Sequence, residues 1–363
     1  MTWASGLLAV VLVMAGCTSD GQAEGGQQPD PSASPSVSSP ESETPTETPT
    51  QTPTPTPTEP AGTAPARPIS VLGLAEQRHR GDRLRLGAVR EQTDLYTSYD
   101  VTYRSRSTTG PEQDGEESYT ISGVLNVPTG RGSFVAVVLA HGYIDPAVYV
   151  RGQGMTRERG YLAARGYIAL HVDYRNHAES DNDPRYQTRM RLGYTADVIA
   201  AVKALRGSPD VPVDDDRIAL FGRSMGGGVI LKALVAEPGL VQAAAPGSRC
   251  RRSRPTASGS SCPSRVTPGQ EVVAAHGSPA DSPDFWRENS SRPYFDRITE
   301  PVLMVHGRFD DTCPPPWAAG MQRALVKAGV NSQIEWYDDG HALGPAFNAA
   351  MDRTVTFFDT QLG

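Results

Sequence analysis

The sequence predicts an α/β fold, with a mostly parallel central sheet, helices on both faces and an antiparallel N-terminal start. Three observations carry that expectation. Phe134–Ala140 (FVAVVLA), Tyr167–Val172, Arg217–Phe221 and Pro301–Val305 are short, continuously apolar runs, as strands covered on both faces must be. Between them lie stretches with apolar residues at helical spacing, such as Tyr194, Val198, Ala201, Val202 and Leu205. The two kinds of segment alternate, and strand–helix–strand units build a parallel sheet.

Before the fold begins, the chain has another character. It has 363 residues with a formal charge of -7, from 34 Lys+Arg against 41 Asp+Glu. Residues 18–68 alone supply -6, with seven acids and only Arg67 as a base. The rest is nearly neutral, so no basic face capable of neutralising phosphates is expected and no nucleic-acid partner is implied. Leu7–Ala15 is a short apolar run, too short to span a bilayer, followed by Gly16 and Cys17. Residues 18–68 are mostly Pro, Thr, Ser, Glu and Gln, with Val37 the sole large aliphatic among them. They cannot bury enough surface to offset ordering entropy and read as a disordered spacer. Extended, such a spacer could hold a domain on the order of 100 Å from an anchor.

Residues 69–363 are expected to form one domain. Tyr99, Val101 and Tyr103 alternate with polar residues, as do Tyr119, Ile121, Gly123 and Leu125, giving two antiparallel strands joined by a polar loop. The apolar runs named above are the central strands, and Met155–Ala164 and 190–205 are helices between them. Ile334–Tyr337 is a further short strand. Trp317, Met321 and Leu325, then Phe347, Met351, Val355 and Phe358, mark two amphipathic helices near the end.

The chemistry centres on Gly222-Arg223-Ser224-Met225-Gly226, which follows the strand ending at Phe221 and runs directly into helix 229–236. Gly-x-Ser-x-Gly between strand and helix is a tight corner where neighbouring side chains would collide. It exposes Ser224 at the sheet edge, with a helix N-terminus behind it that favours negative charge. A serine hydroxyl needs a base, and the base an orienting acid. For this arrangement the chain order Ser, acid, His confines the base to His276, His306 or His341. His341 lies on a loop beyond a strand, between Gly340 and the last helix, and is selected. His306 abuts its strand and reads as structural. The acid is Asp310 or Asp311, both on the loop after Val302–Val305.

His306-Gly307, Asp310 and Pro314 resemble the pattern His-Gly-x-x-Asp-x-x-Val-Pro of the α/β-hydrolase superfamily, in its dienelactone hydrolase and prolyl oligopeptidase-like branch, with Cys313 in place of Val. The resemblance covers about residues 98–363. It implies an α/β-hydrolase fold and selects Asp310 as the acid. It also implies an oxyanion hole from the backbone N–H groups of Met225 and, after His141-Gly142, of Tyr143. Asp173–His177 resembles the Asp-x-Arg-Gly loop of the same superfamily, and the resemblance gives it an architectural role. The expected activity is that of a serine hydrolase cleaving an ester or related acyl bond of a small molecule or short peptide. A prolyl oligopeptidase-like peptidase and a non-catalytic binding lipoprotein are the alternatives. No metal or other cofactor is required. The start of the chain resembles a bacterial lipoprotein signal, residues 1–17, which implies a diacylglycerol on Cys17 and an extracytoplasmic, membrane-anchored protein.

One stretch breaks the pattern. Pro246–Pro268 carries five Arg, six Ser and four Pro where the end of a buried strand is expected. Two readings stand: a polar insert closed by a Cys250–Cys262 disulfide, within a lid over 246–296, or a local reading-frame slip.

Overall fold

The computed structural model describes residues 66–108, 116–247 and 270–363. Helix α1 (Val71–Ala75) starts at Ser70, whose hydroxyl accepts from the Gly73 N–H. Strands β1 (Arg78–Gln92), β2 (Tyr96–Thr108) and β3 (Glu116–Pro128) follow as an antiparallel meander. Then come β4 (Phe134–Ala140), α2 (Thr156–Ala163), β5 (Ile168–Val172), α3 (Leu192–Arg206) and β6 (Val213–Arg223). The chain continues through α4 (Met225–Ala236), β7 (Ala243–Gly247), α5 (Gln270–His276) and α6 (Pro283–Glu288). It ends with β8 (Val302–Gly307), α7 (Pro315–Lys327), β9 (Ser332–Tyr337) and α8 (Phe347–Leu362).

These strands make one sheet in the order β1-β2-β3-β5-β4-β6-β7-β8-β9. Pairing is antiparallel as far as β3–β5 and parallel from β5 to β9. The parallel strands therefore all end at one edge. The chain turns from β4 to β5 on one side and then crosses to β6 on the other. Loops at such a reversal diverge and leave a crevice at the strands' C-terminal ends.

The apolar runs are continuous because neighbouring residues feed two cores. Ala136, Val138 and Ala140 of β4 pack with α1, α3, α4 and α7 on one face. Val137 and Leu139 pack with α2 and α8 on the other. Each large side chain fully buried in this way contributes about 1.5–3 kcal/mol.

Two features depart from simple periodicity. Strand β1 has no alternating apolar pattern, because it is an edge strand exposed along most of its length, with His79 and Leu84 its buried side chains. Strand β7 does form at the anomalous stretch. Its five residues are all buried and pair with β6 from Ala219–Ala243 to Arg223–Gly247. Residues 248–269, with the expected Cys250–Cys262 disulfide and the frame-slip question, lie outside the described residues. So do the signal segment 1–17, Cys17 and the spacer as far as residue 65.

Candidate active site

Ser224 sits where β6 meets α4, in a left-handed backbone conformation (φ 55°, ψ -118°). A non-glycine residue held there costs on the order of 1–3 kcal/mol and persists only when its surroundings enforce it. The surroundings are visible. The Ser224 N–H donates to Gly247 O at 3.0 Å, tying the corner to the end of β7. A Cβ on Gly226 would lie 1.9 Å from Ala140 O, and one on Gly222 would lie 2.6 Å from Gly226 O. Both glycines are thus required by backbone-to-backbone approach, as the spacing of the motif predicts.

Asp310, on the loop after β8, is buried, and His341, on the loop after β9, is partly exposed. The His341 Nδ1–H donates to Asp310 Oδ2 at 2.9 Å and lies 3.1 Å from Oδ1. Since a carboxylate only accepts, Nδ1 carries the proton and Nε2 keeps its lone pair. Asp310 is itself held by N–H groups of Thr312 (3.0 Å) and Cys313 (2.7 Å) on Oδ1. Asp311 is exposed, and among the described residues its carboxylate accepts from the Thr312 hydroxyl alone, at 3.3 Å.

Ser224 lies at the same sheet edge, but its hydroxyl makes no hydrogen bond to His341 among the described residues. Tyr143, on the loop after β4, is exposed, and its N–H has no acceptor among the described residues. Met225 is the first residue of α4, so its N–H has no partner within the helix. A Cβ on the intervening Gly142 would lie 3.3 Å from Ser224 Cβ, which places the Tyr143 loop against the nucleophile.

The other histidines have structural surroundings. His306 Nε2 donates to Cys313 O at 2.8 Å, and burial lowers its pKa. His141 is fully buried between the rings of Tyr149 and Tyr174, and burial pushes its imidazole down to about 3. Asp173 accepts from Ser122, Tyr149 and the Gly152 N–H, while the Arg175 guanidinium forks onto Asp197. Asp173–His177 therefore braces the loops behind the site. His276 Nε2 donates to Thr188 O at 2.7 Å.

The donor atoms of Asp310, Cys313 and His341 lie within 4.8 Å of one another. Cys313 is disulfide-bonded, however, and offers no thiolate to a metal.

Two groups lie outside any motif. Glu158 of α2 is buried, and its Oε1 takes Arg223 at 3.2 Å and Arg157 at 3.5 Å. Arg157 also donates to Ala342 O at 3.0 Å, so one carboxylate links the residue before Ser224 to the residue after His341. Arg191, just ahead of α3, lies over the Tyr143 ring. No local signal could find either, because both are assembled by packing between distant segments.

A strained serine corner between strand and helix, with a His–Asp pair on later loops of the same sheet edge, defines the α/β-hydrolase fold. The chain belongs to the prolyl oligopeptidase family, a family of serine hydrolases, whose pattern matches residues 153–363. Over 195 residues it is 29% identical to dipeptidyl peptidase 4 of Felis catus, covering 51% of this chain and 24% of that protein. The chain thus spans about a quarter of the length of the curated relatives it matches. Among solved structures, an acetyl xylan esterase from Paenibacillus sp. R4 superposes with a TM-score of 0.55 at 21% identity, over 80% of this chain and 92% of that one. An acylaminoacyl peptidase from Pyrococcus horikoshii gives 0.52 at 16% identity, over 77% and 56%. These two likenesses concern the fold.

Proposed function

We propose that this protein is a serine hydrolase that cleaves an ester or related acyl bond through an acyl-enzyme. Ser224 Oγ attacks the carbonyl carbon and His341 Nε2 takes its proton. Asp310 holds the imidazole in the tautomer that leaves Nε2 free. The N–H groups of Met225 and Tyr143 receive the oxyanion, and His341 returns the proton to the leaving group. Water then repeats the cycle on the acyl-enzyme. The observation that carries this reading is the His341–Asp310 hydrogen bond at the sheet edge where Ser224 is held at positive φ.

The test is a p-nitrophenyl ester panel of increasing acyl length, together with fluorophosphonate labelling, on wild type and Ser224→Ala. Turnover and labelling that vanish in the variant support the reading; an unreactive wild type removes it in favour of a binding protein. Peptidase action is a second reading, favoured by the family match and the dipeptidyl peptidase 4 relatives. Dipeptidyl p-nitroanilides run beside the esters decide between the two.

The same reading places the protein outside the cytoplasm, anchored by a lipid on Cys17. Support comes from the apolar run before Cys17 and the spacer composition after it. Mass spectrometry of the membrane fraction should find a lipidated N-terminal Cys17, and an unmodified Cys17 inside an intact chain would remove the anchor.

A further inference from the structure

We propose that Arg191 is a substrate-binding residue that selects acyl groups carrying a carboxylate. The proposal rests on the hydrolase reading above and names the substrate class of that same site.

The first support is topological. His341 must reach the leaving group to return its proton, so the leaving group faces the β8 and β9 side of Ser224, where His341 and Asp310 sit. The acyl substituent of the attacked carbonyl then points to the opposite flank, beyond β4 and β5. Arg191 is on that flank, between β5 and α3.

The second support is contact. The Arg191 guanidinium stands over the Tyr143 ring, 4.8 Å from its centroid, and Nη1 lies 3.9 Å from Met225 Sδ. It therefore touches the side chains of both residues whose N–H groups receive the oxyanion. Its Nε donates to Gln187 Oε1 at 2.9 Å, which fixes the plane of the fork while leaving the Nη2 edge uncommitted among the described residues. A planar fork of this kind suits a carboxylate better than a point charge does.

The third support is its charge state of isolation. The guanidiniums of Arg223 and Arg175 are committed, to Glu158 and Asp197. Arg191 has no carboxylate within 4.0 Å among the described residues, although it is only partly exposed and stands over the Tyr143 ring. In such surroundings an anion is attracted more strongly than in bulk water.

The fourth is backbone strain. Met190 and Arg191 are consecutive non-glycine residues at positive φ, 58° and 55°. Met190 is buried with Leu192, Val272 and Phe285, and the Arg191 N–H donates to Tyr186 O at 2.8 Å. Two disfavoured conformations in a row, enforced by packing on one side, aim the side chain of Arg191 at the oxyanion flank. Strain of this kind collects at functional sites.

The experiment measures kcat and KM for p-nitrophenyl hemisuccinate, hemiglutarate and hemiadipate, each against its neutral methyl-capped counterpart. Wild type, Arg191→Lys and Arg191→Met are compared, with thermal melts to check folding. At the best chain length wild type should prefer the anionic ester in kcat/KM by tenfold or more. That ratio should collapse in Arg191→Met and recover in part in Arg191→Lys. The loss should appear mainly in KM, and 1 M salt should erode the wild-type preference, since exposed charge pairing is screened. A ratio unchanged in Arg191→Met, or anionic and neutral esters falling together, overturns the proposal. If Arg191→Met does not fold, the Arg191→Lys ratio and the wild-type salt dependence decide it. A wild type that hydrolyses neutral esters without anionic preference defeats this proposal alone. One that hydrolyses no ester and leaves Ser224 unlabelled defeats the hydrolase reading, and this proposal with it.

Discussion

At the scale of single residues, the two aspartates of one loop make the sharpest contrast. Asp310 is buried and accepts from His341, Thr312 and Cys313, whereas Asp311 is exposed and accepts from one hydroxyl. Replacing Asp310 by Asn keeps the shape but removes the charge that holds Nδ1 protonated, so the imidazole can flip to the unproductive tautomer. Asp310→Asn should lower ester kcat by about 10³–10⁴-fold, and Asp311→Asn by no more than a few-fold. Steady-state kinetics on the two variants would reverse the assignment if their order were opposite. Ser224→Ala should lose about 10³-fold or more in turnover and all fluorophosphonate labelling. Its melting temperature should stay near wild type, since the change removes only a hydroxyl that makes no capping bond to α4 and leaves the Cβ and the positive φ as they are.

At the scale of elements, the corner between β6 and α4 leaves no room. A Cβ on Gly226 would meet Ala140 O at 1.9 Å and His141 O at 2.7 Å, both backbone atoms of β4 and its loop. Gly226→Ala should therefore cost about 3 kcal/mol or more, read as a lower denaturant midpoint at unchanged m. The Glu158 carboxylate acts across elements, from α2 to the corner and to the His341 loop. Glu158→Gln should cost about 1–3 kcal/mol of stability by leaving charged donors poorly matched. It should also reduce kcat with little change in KM, because the loop carrying His341 loses its tie. These two cases show what the sequence makes legible. Gly226 is readable because its constraint lies within a local motif bounded by a strand and a helix. The candidates Ser224 and His341, and the loop carrying Asp310 and Asp311, are readable for the same reason, each standing just beyond a recognisable strand, while the choice of Asp310 rests on the resemblance. Strands β4, β5, β6 and β8 are readable because burial on both faces writes a continuous apolar run. Strand β1 is not, because an exposed edge imposes no pattern; the buried strand expected after helix 229–236 does form as β7, and it runs on through alanines and a proline of low strand propensity. Glu158 and Arg191 matter through contacts between segments far apart in the chain, which no spacing encodes.

At the scale of the whole molecule, the buried imidazoles set the response to acid. His79, His141, His171, His177 and His306 all have pKa values lowered, with burial the largest cause in each. His171 illustrates why: its Nδ1 accepts from Arg159 Nη1 at 3.1 Å, so protonating that nitrogen would set two cations against each other in the core. In the unfolded chain these groups take up protons near the ordinary value of 6.5. Below that pH the unfolded state binds protons that the folded state refuses. The stability they contribute is thus fully present above about 6.5 and is lost as pH falls toward the folded values, about 3 for His141. Asp173 and Glu300 act in the other direction, since burial raises their pKa values from 3.8 and 4.5. Their opposing effect begins at their raised folded values and is complete below 3.8 and 4.5, and two carboxyls stand against five imidazoles. Between pH 7 and 5 the imidazoles should therefore prevail, each able to remove up to about 1.4 kcal/mol per pH unit. Guanidinium unfolding at pH 7.5, 6.5, 5.5 and 5.0 should show the midpoint falling steadily with acid. Calorimetry in buffers of different ionisation enthalpy should show net proton uptake on unfolding near pH 5.5. A flat midpoint across that range, or proton release, would mean that the imidazoles are charged inside the fold. That result would contradict the packing of His141 between Tyr149 and Tyr174, on which the loop carrying Tyr143 rests.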